Sequence, residues 1–149
     1  MIFDTWGGVL NPSMYREFSV RYMQQIVAGL KRTHDGRTIP VTLFTKGAGH
    51  RLVELKAAQP DAVGVDWTLD LSTARTLMGP DVGLQGNVDP CLLYASHDVI
   101  RDQVRETLGQ VSGRHVFNLG HGVKPDMDPE RVGTLIDAVH EYSRQSATA

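Results

Sequence analysis

Five short apolar, β-branched runs, each followed by a helical pattern, constrain this chain more than any single motif does. The runs are Ile2-Phe3, Val41 to Thr45, Ala62 to Val65, Val82 to Leu84 and His115 to Phe117. Some of them start only about 20 residues apart, which leaves room for one tight crossover helix and no more. Such spacing predicts parallel strands joined by right-handed connections. The intervening segments carry helical periodicity. Met14, Phe18, Tyr22, Ile26 and Leu30 recur every four residues, and Tyr15, Met23 and Val27 widen that stripe, which predicts a helix packed on this face. Asn11-Pro12-Ser13 reads as its start. Further helices are expected over Gly49 to Ala58, over Asp70 to Met78 with Gly79 as the stop, after Ser96 as N-cap, and from Asp128-Pro129 onward. The fourth helix aligns Ile100, Val104 and Leu108. The fifth turns Val132, Leu135, Ile136 and Val139 inward.

A five-fold βα alternation leaves two architectures, an open doubly wound sheet or part of a (β/α)8 barrel. The first strand runs into Asp4-Thr5-Trp6-Gly7-Gly8, which is not the G-x-G-x-x-G phosphate fingerprint of the doubly wound class. A full barrel takes about 250 residues. The 149 residues here are therefore expected to form an incomplete barrel of about five units, as a single domain over 1–149.

Composition removes several classes of function. Fifteen Lys and Arg against seventeen Asp and Glu give a formal net charge of −2, so no polycationic nucleic-acid surface is expected. No apolar stretch approaches the roughly 20 residues of a membrane span, and Met1-Ile2-Phe3-Asp4 lacks the basic and apolar regions of a signal peptide. The single cysteine, Cys91, fits a reducing compartment and forbids multi-cysteine zinc sites. No H-x-x-E-H, H-E-x-x-H or H-x-C spacing occurs, so no metal is expected.

Every strand run ends in glycine or hydrogen-bonding residues. These ends are Asp4-Thr5-Trp6-Gly7-Gly8, Thr45-Lys46-Gly47-Ala48-Gly49, Asp66-Trp67-Thr68, Gln85-Gly86-Asn87 and Asn118-Leu119-Gly120-His121-Gly122. Parallel α/β folds gather their strand C-termini at one mouth, where ligands bind. The same residues also suit ordinary turns and caps. His121 stands out because Gly120 and Gly122 allow close approach to a ligand, and an imidazole can donate to an anion or carry a proton. A histidine that merely caps its loop is the alternative. His34, His50, His97, His115 and His140 read as surface or structural. Trp67 suits stacking on a flat ligand or plugging the barrel core, and the plug is the expectation; Lys46 suits pairing with a carboxylate but is expected as a solvated loop lysine, and Cys91 is expected as structural.

These loops resemble the uroporphyrinogen decarboxylase family. The matching stretches are Ile2 to Gly8, Pro40-Val41-Thr42-Leu43-Phe44-Thr45-Lys46-Gly47, Gly64-Val65-Asp66-Trp67-Thr68 and Leu84-Gln85-Gly86-Asn87-Val88-Asp89-Pro90. The most distinctive is Phe117-Asn118-Leu119-Gly120-His121-Gly122, followed by Pro125-Asp126-Met127-Asp128-Pro129-Glu130. The likeness runs through nearly the whole chain, in order, but matches only the family's C-terminal part, about its last five βα units. It implies a cytoplasmic homodimeric (β/α)8 enzyme with no metal or cofactor. That enzyme removes the carboxyl groups of the four acetate arms of uroporphyrinogen III to give coproporphyrinogen III. The alternative is an inactive truncated remnant, or a module that only binds the porphyrinogen. By resemblance, Thr5 is a hydroxyl that hydrogen-bonds a substrate arm, His121 contacts a substrate carboxylate and Phe3 lines the cavity. Asp4, Lys46, Asp66, Gln85 and Asn118 belong to matching motifs and are expected to scaffold the mouth. The family's central aspartate, its arginines and its tyrosine lie in the N-terminal part, so no catalytic residue is expected in this chain. Methyl-transferring relatives of the same barrel hold zinc with a His-Cys-Cys set, which one cysteine cannot supply.

Overall fold

The computed structural model describes residues 1–147, with side chains to Arg144. Five strands form one parallel sheet: β1 (Ile2–Asp4), β4 (Thr42–Thr45), β5 (Ala62–Gly64), β6 (Gly83–Val88) and β7 (His115–Leu119), adjacent in that order. Two two-residue strands, β2 (Thr33–His34) and β3 (Arg37–Thr38), pair as an exposed hairpin outside the sheet. The helices are α1 (Pro12–Tyr15), α2 (Arg21–Gly29), α3 (Leu71–Met78), α4 (His97–Gly109) and α5 (Pro129–Ala147). A π-type turn over Arg16–Val20 joins α1 to α2, and a 3-10 helix spans Gly49–Ala58.

Strand order decides between the two architectures. A doubly wound sheet reverses direction at a switch point and covers both faces with helices. Here the order is strictly sequential, and only one face is covered. The register makes this visible. Ile2, Leu43, Val63, Leu84 and His115 align across the five strands. Leu43, Val63 and Leu84 in that row are fully buried beneath the helices. One residue further along, Phe3, Phe44, Gly64, Gln85 and Val116 align on the opposite face. Phe3 is 66% and Val116 58% exposed. A singly wound sheet of this kind is a sector of a barrel.

The expected caps are in place. The Asn11 side chain accepts from the Met14 N–H, Ser96 from that of Val99, and Asp128 from that of Glu130. Helix α3 ends at Gly79 with φ +82°, where only glycine is unstrained. The helix through residues 12–29 departs from expectation. Its sheet-facing line is Tyr15, Ser19, Val20, Met23 and Val27. The four-residue stripe Met14, Phe18, Tyr22, Ile26 and Leu30 lies exposed, each residue 43% to 55% open. The opposite flank meets the 3-10 helix, where Arg16 pairs with Glu54 at 3.4 Å and Gln24 donates to the Ala57 carbonyl at 3.0 Å. The stripe is thus the flank that points away from the next unit, on the side of edge strand β1. Ile136 likewise lies exposed, while Leu135 and Ala138 hold the α4–α5 seam. Among the described residues no helix is long and apolar enough to cross a membrane.

Candidate functional site

The strand C-termini converge, and there the polar residues divide by the direction of their side chains. Asp4 turns to the covered face. Its carboxylate accepts from the backbone N–H groups of Trp6 (3.1 Å) and Gly7 (2.8 Å) and from the Ser19 hydroxyl (2.5 Å). Beside it the buried Tyr15 hydroxyl donates to Thr45 at 3.2 Å, and burial pushes the Tyr15 phenol up from its ordinary value. Asp66, also buried, accepts from the Gly47 N–H (2.5 Å) and from both the N–H and hydroxyl of Thr68 (3.0 and 2.5 Å). The Asn87 amide donates to the carbonyls of Asp66 (3.2 Å) and Leu69 (2.5 Å). These three side chains are committed to the loops and hold the mouth in shape, as expected for Asp4 and Asp66.

Gln85, Asn118 and His121 do otherwise. They are the polar side chains of a cavity of about 300 Å3 on the open face, whose apolar wall includes Phe3, Phe44, Val65 and Val123. Phe3 and Phe44 meet edge to face, with ring centroids 6.1 Å apart. Gly64 keeps this wall open, since a Cβ there would lie 2.6 Å from the Phe44 ring. At the far side the Gly120 N–H donates to the Val88 carbonyl at 2.7 Å, seating the loop on Trp67. A Cβ on Gly120 would come within 2.8 Å of the Trp67 backbone nitrogen. That close packing presents His121 to the cavity, with its ring 6.5 Å from the Trp67 indole. Trp67 is therefore a partly exposed rim residue and not a plug in the core.

The structure brings Phe3 and His121 to one cavity. Thr5 is exposed just beyond β1, outside that cavity's lining. Lys46 is half-buried and also outside the lining, and Cys91 is exposed. Gln85 and Asn118, expected as scaffold, instead face the open space. Period-two alternation from Phe3 and Phe44 through the aligned strands was the signal that could have found them. No Asp, Glu, Lys or Arg side chain lines the cavity among the described residues, so its side chains offer hydrogen bonds and apolar contact. Among the described residues no three His, Cys, Asp or Glu side chains cluster as a metal site would require.

The family model for uroporphyrinogen decarboxylase (URO-D) matches residues 1–142. The chain belongs to the uroporphyrinogen decarboxylase family. A uroporphyrinogen decarboxylase of Ruthia magnifica is 51% identical over 147 residues, covering 97% of this chain and 42% of that protein. That of Tolumonas auensis is 56% identical over 146 residues, covering 96% and 41%. The chain thus spans about two fifths of the length of the curated relatives it matches. A solved methyltransferase from Methanosarcina mazei superposes with a TM-score of 0.80 at 20% identity, over 95% of this chain and 41% of that one. At that identity it supports the fold alone, and it agrees with a partial barrel.

Proposed function

We propose that residues 1–149 are the C-terminal portion of a uroporphyrinogen decarboxylase barrel whose preceding portion carries the central aspartate and the arginines. The reaction is removal of carbon dioxide from the four acetate arms of uroporphyrinogen III, giving coproporphyrinogen III. At each arm –CH2–COO− and one proton become –CH3 and CO2. The pyrrole ring, protonated at carbon, accepts the electron pair of the breaking C–C bond; the arm's carbon then takes a proton and the ring carbon gives its own back, so that one proton is consumed per arm. No external electron sink is needed. In this reading the present chain contributes to binding. Phe3 forms an apolar wall for the macrocycle. Thr5, near the rim, and His121, at the cavity, donate to arm carboxylates. A charge-assisted hydrogen bond of this kind contributes about 1.5–3 kcal/mol. The complete protein acts in the cytoplasm as a homodimer without metal or cofactor.

The observation that supports this reading most is the family match over residues 1–142, joined to a cavity at the strand ends that holds Phe3 and His121. The test is an anaerobic assay of the complete protein on uroporphyrinogen III, before and after dialysis against EDTA, with products resolved by carboxyl number. Stepwise loss of four carboxyl groups, unaffected by EDTA, is expected. Porphyrinogen binding without turnover would instead favour a binding module. Stoichiometric zinc required for turnover would overturn the cofactor-free mechanism.

A further inference from the structure

Two side chains at this site have polar groups that no described residue satisfies with a strong hydrogen bond. The Asn118 side chain makes no hydrogen bond among the described residues, although it lines the cavity from β7. The Gln85 amide meets only the Met1 thioether, at 3.7 Å, and sulfur is a weak acceptor. Their neighbour Asn87 shows what a structural amide does here, since it is bonded to two backbone carbonyls. Register places the two free amides on adjacent strands. Gln85 pairs with Val116, and Asn118 lies two residues further along the same face. Strand spacing and rise put their Cα atoms roughly 8 Å apart. One terminal group of a ligand can reach both. His121 follows Asn118 by three residues at the same rim.

We infer that Gln85 and Asn118 are specificity-determining residues that donate their amide N–H groups to one carboxylate arm of the ligand, on the side of the cavity opposite the Phe3–Phe44 wall. The inference rests on the proposed porphyrinogen substrate. No Asp, Glu, Lys or Arg side chain lines the cavity among the described residues, so the side chains of this wall recognise a carboxylate by placed donors. A neutral donor has a second consequence. When the arm becomes a methyl group, the two amides lose their partner, and a product arm is held less firmly there than an acetate arm.

The test uses the complete enzyme with Gln85→Met, Asn118→Leu, Gln85→Glu and Asn118→Asp, each checked by near-UV circular dichroism. Binding of uroporphyrin III is followed by tryptophan quenching, and turnover of uroporphyrinogen III is measured in parallel. The apolar variants are expected to raise Kd and KM about tenfold and to leave kcat within about threefold. The acidic variants, nearly isosteric with the native amides, are expected to bind more weakly still, with part of the loss recovered at lower pH. Acidic variants that bind as well as wild type, or apolar variants that lower kcat while leaving KM unchanged, would overturn the assignment. Wild-type protein that binds uroporphyrin but does not decarboxylate uroporphyrinogen would refute the proposed reaction and leave the binding comparison intact.

Discussion

The two faces of the sheet differ in completeness. On the covered face, Leu43, Val63 and Leu84 are sealed by helices that this chain itself supplies. On the open face, Phe3 and Val116, one residue away in register, stand in solvent. The helix through residues 12–29 repeats the contrast. Its sheet-facing line is buried and its outer flank carries five exposed apolar side chains. Within the chain the strands pair in sequence, α2 and α3 pack against the 3-10 helix, and α4 packs against α5. The chain leaves open the contacts that a closed barrel makes across its interior and at its first edge. Incompleteness of that kind belongs to a segment, and it agrees with coverage of about two fifths of the relatives.

The largest expected effect comes from separating the faces physically. Expressed alone, the 149 residues present an open strand edge at β1 and the apolar stripe beside it. They are expected to elute as oligomer or aggregate and to be inactive on uroporphyrinogen. Co-expression with the remaining barrel segment should restore a defined species and turnover. Phe18→Glu with Ile26→Glu should make the isolated chain more soluble and should weaken that complementation. A compact active monomer from the isolated chain would show that the stripe and the open face need no partner.

The second effect compares one residue from each face in the complete protein. Leu84→Ala removes a fully buried side chain and is expected to cost about 2–5 kcal/mol of stability. Phe3→Ala should cost much less stability and instead raise KM, because its ring bounds the cavity proposed to take the ligand. Equal losses of stability in chemical denaturation would mean that both faces are structural core.

Much of this was legible beforehand. The five βα alternations, the caps at Asn11, Ser96 and Asp128 and the stop at Gly79 depend on local chemistry, and local chemistry is written in neighbouring residues. The helix through 12–29 shows where that ended. Periodicity identified an apolar stripe, but two adjacent lines on one helix are both apolar, and only tertiary packing chooses which meets the sheet. The exposed hairpin over residues 33–38 went unseen, although Asp35-Gly36 with φ +48° and +73° is a two-residue turn pair suited to it. At the site, His121 was visible from its flanking glycines. Gln85 and Asn118 were not separated from Asp4 and Asp66, because polar residues at strand ends look alike until register assigns each a face.

Smaller in energy is the loss of a single ligand contact. His121→Ala in the complete enzyme is expected to lower kcat/KM about 10- to 100-fold with unchanged thermal stability, since the exposed ring supports no core. Some turnover should remain, because the role proposed for it is to bind and orient a carboxylate. Wild-type kinetics at every decarboxylation step would remove His121 from the site and leave the open face with its amides alone.

The smallest effect tests the one titratable residue of the covered row. His115 ends the line that begins with Ile2 and runs through Leu43, Val63 and Leu84. Its Nε2 donates to the Gly86 carbonyl at 2.8 Å, and its ring meets Phe117 at 6.2 Å. Burial lowers its pKa below the ordinary histidine value, the Gly86 bond opposes that shift, and the nearby Arg75 charge adds to it. The unfolded chain therefore takes up a proton at higher pH than the folded one. Stability from this residue is complete above about pH 6.5 and is lost as pH falls from there through the lowered folded value. His115→Gln keeps a donor for the Gly86 carbonyl and cannot titrate. The variant is expected to show a shallower decline in melting temperature between about pH 6.5 and 5 than the parent protein, with turnover unchanged at neutral pH. Parallel declines in the two proteins would mean that His115 is as free to protonate as an exposed histidine, and that the covered face is less sealed at β7 than at its centre.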